Sequence, residues 1–538
     1  MKYVSKWSGV SGAALGFAAG TMILAASGHV IAQRSAANPI GKAVPRTCFS
    51  AGTGTVTQSD PTTPTPPPPT HGQSKAYVSG EVLLKFKGGM SPVRRQRALN
   101  ALRSRPSVSE LTWTGDIASF RDPAEPDAER SAAQLQAQPE IEFAQANYIR
   151  SLPVGKVSAV APLAVGPGVA GKPNDPDYNV LQWNLSLLNM PAAWDINPGG
   201  NSSVIVAVID TGVTTEDTTV SARLWTGQQF DNVSVRIARS PDLSPSRIVL
   251  PRDFIFNTTG ASTWDFVGHG THVASTIAED ANNQVSLAGM AYNVRIMPVK
   301  VCVGYWELML ARAQNNVSGF LPADSGGCSD SLISQGIRYA VDNGARVINL
   351  SLGGAGEAPV VRDALTYAVG KGAFVAISAG NGFDDGNEPE FPAAYAPAID
   401  GVMAVGAVGK SKTRAYYSTT GSQVEIAAPG GSDRDGGGED QGFVWQVTLY
   451  PSDSDPLKLT VPRFDRYVEV GYIGTSMAAP HVSALAALLM SQGITAPKAI
   501  EATIKAFALD LGASGRDDDY GYGLIQPRAS LFGLGVRR

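Results

Sequence analysis

At 538 residues, with 43% apolar and 17% charged positions, the chain can bury one large core and still carry smaller modules. Its formal charge of −4 argues against a dedicated nucleic-acid binder, which needs a concentrated positive field, and leaves a protein or peptide partner open.

The chain begins Met1-Lys2-Tyr3-Val4-Ser5-Lys6, continues with small and apolar residues from Gly9 to Ala26, and reaches Val30-Ile31-Ala32, the pattern of an export signal over 1–32. A membrane anchor is the second reading, because the run is about 18 residues long, but it is rich in Gly, Ser and Ala. No later stretch is long and apolar enough to suggest a span, so no stable membrane insertion is expected. The product is expected to be secreted: extracellular, periplasmic or at the cell surface. Residues 33–74 contain Asp60-Pro61-Thr62-Thr63-Pro64-Thr65-Pro66-Pro67-Pro68-Pro69-Thr70, which cannot pack a core and predicts an extended linker. Residues 75–151 have the size of a small α+β domain. Tyr77 to Lys87 alternates as a strand does, Val93 to Leu102 is helix-like and basic, and Ile141 to Ile149 closes with another strand. Residues 152–172, rich in Ala, Pro, Val and Gly, predict an exposed junction, and 173–538 form the remaining domain.

Within that domain Ser203-Val204-Ile205-Val206-Ala207-Val208-Ile209-Asp210 has the look of a buried parallel strand ending in a carboxylate, the end at which open α/β sheets build their sites. Further on, Gly268-His269-Gly270 sets a histidine between two glycines at a loop-to-helix junction, where the backbone can approach closely. Three cysteines allow one intramolecular bridge. Cys302 and Cys328 bracket an apparent insertion and are paired here, for a stabilisation of roughly 3 kcal/mol on the chain-entropy model. Cys48 is left over. Ala345 to Gly354 runs as a strand into Ser351-Leu352-Gly353-Gly354, and Gly372 to Ser378 reads as another buried strand, followed by Ala379-Gly380-Asn381. Gly474-Thr475-Ser476 then opens a long apolar helix, so Ser476 lies where unpaired N–H groups and the helix dipole stabilise an oxyanion. Only five histidines are available to activate it. His29 and His71 lie in the signal and linker. His481, five residues after Ser476 on the same helix, points away from it, and His272 reads as structural.

The order Asp210, His269, Ser476 in these three contexts resembles the subtilisin-like serine proteases, the subtilases. The resemblance implies a three-layer α/β sandwich with a mainly parallel central sheet, and an endopeptidase acting on proteins or peptides. Asn381 inherits the role of a side-chain oxyanion donor. Ser351, Leu352 and Gly353, with Ala379 and Gly380, inherit the strand edges that pair with a substrate backbone. Residues 75–151 resemble the family's inhibitory propeptide, a small ferredoxin-like α+β domain that would act as the chain's own intramolecular inhibitor; an accessory domain that stays attached is the alternative. Glu390, before Phe391-Pro392, falls near the floor of the pocket for the side chain preceding the cut bond, where an acid favours lysine or arginine. No cofactor is required. Many subtilases bind calcium, and Ser432 to Asp440 offers hard oxygen ligands, although a solvated acidic loop fits that stretch as well. The expectation is a monomer with no catalytic metal.

Taken singly, Ser476 could be a helix cap and Asp210 or Asn381 a turn residue. An α/β-hydrolase needs its acid and histidine after the serine, and a zinc protease needs two histidines four apart around a glutamate. Neither pattern is present. A catalytically silent subtilase-like binding protein predicts loss of a catalytic residue, and none is missing. The spacer between Asp210 and His269, the cysteine-bracketed insertion, and the loop from Gly431 to Gly471 are expected as surface elaborations near the cleft.

Overall fold

The structure, a computed structural model, describes residues 75–533 with short breaks, the longest at 101–109, 160–172, 308–326 and 452–460. The export signal, the linker with Cys48, and most of the 152–172 junction lie outside the described residues.

The N-terminal unit runs through β1 (Tyr77–Phe86), β2 (Glu110–Thr114), β3 (Ile117–Arg121), α1 (Ala128–Gln136) and β4 (Ile141–Arg150). Helical backbone also lies at 93–94 and 97–98, between β1 and β2. The strands pair antiparallel in the order β4-β1-β3-β2, which with this element order is a ferredoxin-like path. Val82, Leu84, Phe120 and Leu135 form a core of its own. Asp127 caps α1 by accepting from the Arg130 N–H.

The larger domain is built on an eight-stranded sheet. Its strands are β6 (Ile205–Asp210), β9 (Arg252–Asp253), β10 (Thr258–Thr259), β11 (Arg295–Lys300), β14 (Val347–Leu350), β15 (Phe374–Ser378), β16 (Val402–Val408) and β17 (Ile426–Pro429). They lie in the order β10-β9-β11-β6-β14-β15-β16-β17, all parallel except β10 against β9. The alternation along β6 shows why both faces are covered. Val206 and Val208 pack with helices α2 (His269–Ala278) and α5 (Thr475–Ser491), whereas Ile205, Ala207 and Ile209 pack with α3 (Asp330–Asp342) and α4 (Pro359–Gly370). A strand covered on both sides has no polar face, hence the unbroken apolar run in sequence. The result is the expected three-layer α/β sandwich.

Two outlying segments differ from the expectation of surface elaboration. In the loop from Gly431 to Gly471, β18 (Val444–Leu449) is buried throughout and pairs antiparallel with β19 (Tyr467–Tyr472), which pairs antiparallel in turn with β5 (Val157–Ala159). Phe443, Trp445, Val470 and Tyr472 join the main core, and the Glu279 carboxylate accepts from the Val447 N–H. Alternating apolar residues from 443 to 449 carry this strand inward. Between Asp210 and His269, β7 (Thr218–Trp225) and β8 (Phe230–Ile237) form a hairpin whose Ala222 and Val235 pack on Phe266 and Phe464.

The N-terminal unit meets the larger domain along β4. Its sheet continues into β13 (Gly327–Ser329) and β12 (Cys302–Val303), which the Cys302–Cys328 disulfide joins across a separation of 26 residues. Arg150, fully buried, makes a fork to Asp330, with Nε to Oδ1 and Nη2 to Oδ2 each 2.7 Å. Gln145 Nε2 adds a third donor to Asp330 at 3.0 Å. Removing one partner of such a buried pair costs about 3–5 kcal/mol, since the other charge is left without its match.

Candidate active site

Asp210 ends β6, and His269 is the first residue of α2. Gly268, with φ of 88°, and Gly270, where a Cβ would come 2.2 Å from the Gly212 carbonyl oxygen, let the helix start close against the end of β6. His269 Nδ1 lies 2.7 Å from Asp210 Oδ1, which also accepts from the Thr211 N–H at 2.7 Å. Both side chains are buried. His269 Nε2 has no hydrogen-bond partner among the described residues. The imidazole is thus held by one nitrogen, with the other unpartnered among the described residues.

Asp265, which the sequence reading missed, fixes the start of α2. Its Oδ1 accepts from Thr211 Oγ1, the Val267 N–H and the Gly268 N–H at 2.8–3.0 Å. Its Oδ2 accepts from the Thr271 N–H and Oγ1 at 2.9 and 2.7 Å. Five donors on one fully buried carboxylate tie the strand end that carries Asp210 to the helix that carries His269. Thr211 completes the tie, since its Oγ1 accepts from the Gly270 N–H at 2.8 Å. In sequence it is an aspartate four residues before His269 and six before Thr271, a spacing that does not by itself name its donors. Lys300, also missed, donates to the Thr211 carbonyl and to Glu307. Burial pushes its ammonium down, but Glu307, Asp253 and Asp265 outweigh this and hold it charged.

Ser476 occupies the first turn of α5, after Gly474. Its Oγ donates to the Ser351 carbonyl at 3.2 Å and makes no hydrogen bond to His269. Ser351 Oγ in turn donates to the Ser476 carbonyl at 2.8 Å, which locks the helix start to the end of β14. Asn381 follows β15. Its Oδ1 accepts from the Thr475 N–H and Oγ1 at 3.0 and 2.9 Å, and its Nδ2 is buried without an acceptor among the described residues. That amide is therefore oriented through its oxygen, with its N–H donors left for another ligand.

The strand edge Ser351-Leu352-Gly353 forms one wall. Gly353 and Ser151 exchange both backbone hydrogen bonds, at 2.8 and 3.0 Å, so a segment of the chain itself lies on this edge. The residue before it, Arg150, pairs with Cys328 of β13, so the segment is a middle strand between the two walls. Glu390 is 4% exposed and its Oε1 accepts from the Asn381 N–H at 3.1 Å. Its carboxylate lies between Gly380 and Gly353: a Cβ on Gly380 would come 2.3 Å from Oε1, and one on Gly353 would come 3.0 Å from Oε2. Gly380 also holds φ of 110°, a conformation that disfavours any side chain. Ala379 and Leu352 are buried behind these edges.

The other two described histidines are buried and bonded. His272 Nε2 faces the carbonyls of Val444 and Val470 at 3.1 Å, and burial lowers its pKa to about 3. His481 lies between the Met477 carbonyl and Asn184 Nδ2, and burial lowers its pKa to about 4. Neither bonds to Ser476.

Among the described residues no three His, Cys, Asp or Glu side chains converge to hold a metal ion. In the 432–440 stretch, Asp435 accepts from the Ser411 N–H and Oγ, and residues 436–440 lie outside the described residues. A pair of buried carboxylates stands elsewhere. Asp175 accepts from the N–H groups of Asn282 and Asn283, and Asn283 Nδ2 donates to Asp242 Oδ1 at 2.6 Å. Asp242 Oδ2 is buried with no donor among the described residues. Burial, with Asp280 and Asp175 nearby, pushes the Asp242 carboxyl up to about 8.

Residues 201–523 match the model of the subtilase family, peptidase S8. A thermophilic serine proteinase of Bacillus sp. (strain AK1) is 31% identical over 434 residues, covering 80% of this chain and 82% of that protein. Thermitase of Thermoactinomyces vulgaris is 31% identical over 344 residues, 64% of this chain and 94% of its own. The crystal structure of fervidolysin from Fervidobacterium pennivorans superposes with a TM-score of 0.58 at 22% identity, over 85% of this chain and 61% of that one, a likeness of fold. The chain belongs to the subtilase family and is a serine endopeptidase.

Proposed function

We propose that the chain is a secreted endopeptidase made as a self-processed precursor, with Asp210, His269 and Ser476 as its triad. The observation that carries this is the pair Asp210 and His269, bonded at 2.7 Å through Nδ1 with Nε2 left without a partner among the described residues. Ser476 Oγ attacks the carbonyl carbon of the scissile peptide as its proton passes to His269 Nε2. Asp210 supports the imidazolium. The negative oxygen accepts from Asn381 Nδ2 and the Ser476 N–H. His269 then gives the proton to the departing amine, and water repeats the sequence on the acyl-enzyme to release the acid and restore Ser476.

Residues 75–151 act as the intramolecular inhibitor, supported by the Ser151–Gly353 pairing, which fills the edge a substrate needs. The segment 1–32 directs export; among the described residues no helix is long and apolar enough to cross a membrane. The mature enzyme acts as a monomer on protein or peptide substrates, and Glu390 gives it a preference for lysine or arginine before the cut bond. Calcium, common in the family, fits Asp175 and Asp242, because a divalent ion would satisfy Asp242 Oδ2 and relieve the repulsion between the carboxylates.

The test is intact mass and N-terminal sequencing of protein expressed with export, beside Ser476→Ala made identically. Wild type is expected to lose about the first 150 residues while Ser476→Ala loses only the export signal. If both remain long, self-processing is wrong and the silent-binder alternative gains. If both are trimmed alike, another protease matures the chain.

A further inference from the structure

Arg150 makes more polar contacts across the seam than backbone pairing requires. Its guanidinium forks onto Asp330 at 2.7 Å through both Nε and Nη2, and Nη1 donates to the carbonyls of Gly354, Ala355 and Gly356 at 2.9–3.0 Å. Arg150 and Asp330 are both fully buried. Nε and Nη2 match the two carboxylate oxygens and the two hydrogens of Nη1 are shared among three carbonyls, a planar arrangement that a lysine ammonium, with three donors on a point charge, does not reproduce. Every acceptor belongs to the peptidase domain: Asp330 begins α3, and the three carbonyls follow the Ser351-Leu352-Gly353 edge. These acceptors therefore stay with the peptidase domain if the N-terminal unit is cut away, and Asp330, covered here by Arg150 and Gln145, is then open to another cation.

The register gives these acceptors a place in the cleft. Ser151 and Gly353 pair antiparallel, so a peptide lying as Ser151 does has its second following residue opposite Ser351. The Ser351 carbonyl oxygen is 3.2 Å from Ser476 Oγ, so that second following residue is the one whose carbonyl Ser476 reaches. Counted back from the cut bond, Ser151 marks the third position and Arg150 the fourth. We propose that Asp330 and the carbonyls of Gly354, Ala355 and Gly356 form a substrate subsite that selects arginine four residues before the cut bond. This rests on the reading that the chain segment through Ser151 lies as a substrate does. The subsite is separate from Glu390, which lies at the junction of Gly380 and Gly353.

The experiment uses the purified, processed wild-type enzyme and four fluorogenic peptides that differ only at the fourth position before the cut: Arg, Lys, Gln and Leu. kcat/KM is expected to be at least about tenfold higher for Arg than for Leu, with Lys between them. Asp330→Asn is expected to bring the Arg to Leu ratio close to one, and the wild-type series is decisive even if that variant does not fold. Equal rates for Arg and Leu in wild type overturn the subsite alone. An enzyme that hydrolyses none of the four overturns both the subsite and the protease mechanism on which it rests.

Discussion

The floor of the site and the N-terminal unit that covers it are held in different ways. The floor is fastened by buried side chains whose acceptors are saturated: Asp265 takes five donors, and the ends of β14 and α5 exchange hydrogen bonds through Ser351 and Ser476. The unit above is fastened by β4 on β13, by Ser151 on Gly353, by the Arg150–Asp330 fork, by Lys85 on Asp363 at 2.5 Å, and by Leu83, Ile117 and Phe143, which join the apolar cluster of α3 and α4. It also has its own core around Val82, Leu84 and Leu135. A fixed floor keeps reacting groups aligned without reorganisation, whereas a cover with a core of its own can leave as one piece.

The contrast breaks first at Asn381. Asn381→Leu removes the buried Nδ2 donor and also the acceptor for Thr475, and is expected to lower kcat by about 10²–10³ with a much smaller change in KM. Steady-state kinetics on a small peptide check this. A loss confined to KM would mean that Asn381 binds substrate without stabilising the oxyanion.

Asp265 tests whether the floor is fixed by its buried carboxylate. In Asp265→Asn one acceptor oxygen replaces two, so the Thr211, Val267, Gly268 and Thr271 donors cannot all be satisfied. Displacing the His269 helix start is expected to cost about 10–100-fold in kcat/KM. A kcat/KM per folded molecule equal to wild type would assign Asp265 to folding alone.

Glu390 lies where floor and cover meet, and its effect is expected to be smaller. Comparison of cleavage after Lys or Arg with cleavage after Leu or Phe should show the ratio falling by about tenfold in Glu390→Gln. An unchanged ratio would leave Glu390 as a structural acceptor for the Asn381 N–H.

What the sequence made legible follows the same division. β6, β14 and β15 could be read because covered parallel strands are continuously apolar, and Asp210, Ser351 and Asn381 stand at or just beyond their carboxyl ends. Asp265 and Lys300 could not be assigned, because an aspartate before a phenylalanine and a lysine ending a strand acquire their roles only from donors and acceptors brought together by the fold. β18 was mistaken for surface because it sits in an insertion, although its Val444-Trp445-Gln446-Val447 alternation was visible. The seam was hidden for a different reason: Arg150 and Asp330 are 180 residues apart, and nothing in either neighbourhood names the other.

The smallest expected effect concerns Asp242, on the floor side but away from the cleft. Its carboxyl is raised from the ordinary 3.8 to about 8, first by burial and then by Asp280 and Asp175. The folded protein therefore holds a proton there that the unfolded chain gives up near pH 4. This contribution to stability is complete below about pH 4 and is lost as pH rises toward 8. In chelator, Tm should fall across that window more in wild type than in Asp242→Asn, whose side chain carries no charge to desolvate. Added calcium should reverse the trend in wild type, because the ion binds the deprotonated pair and raises Tm by mass action, and should do little for Asp242→Asn. Equal calcium responses in the two proteins would move the ion to another site and leave Asp242 as a buried acid that the floor keeps protonated.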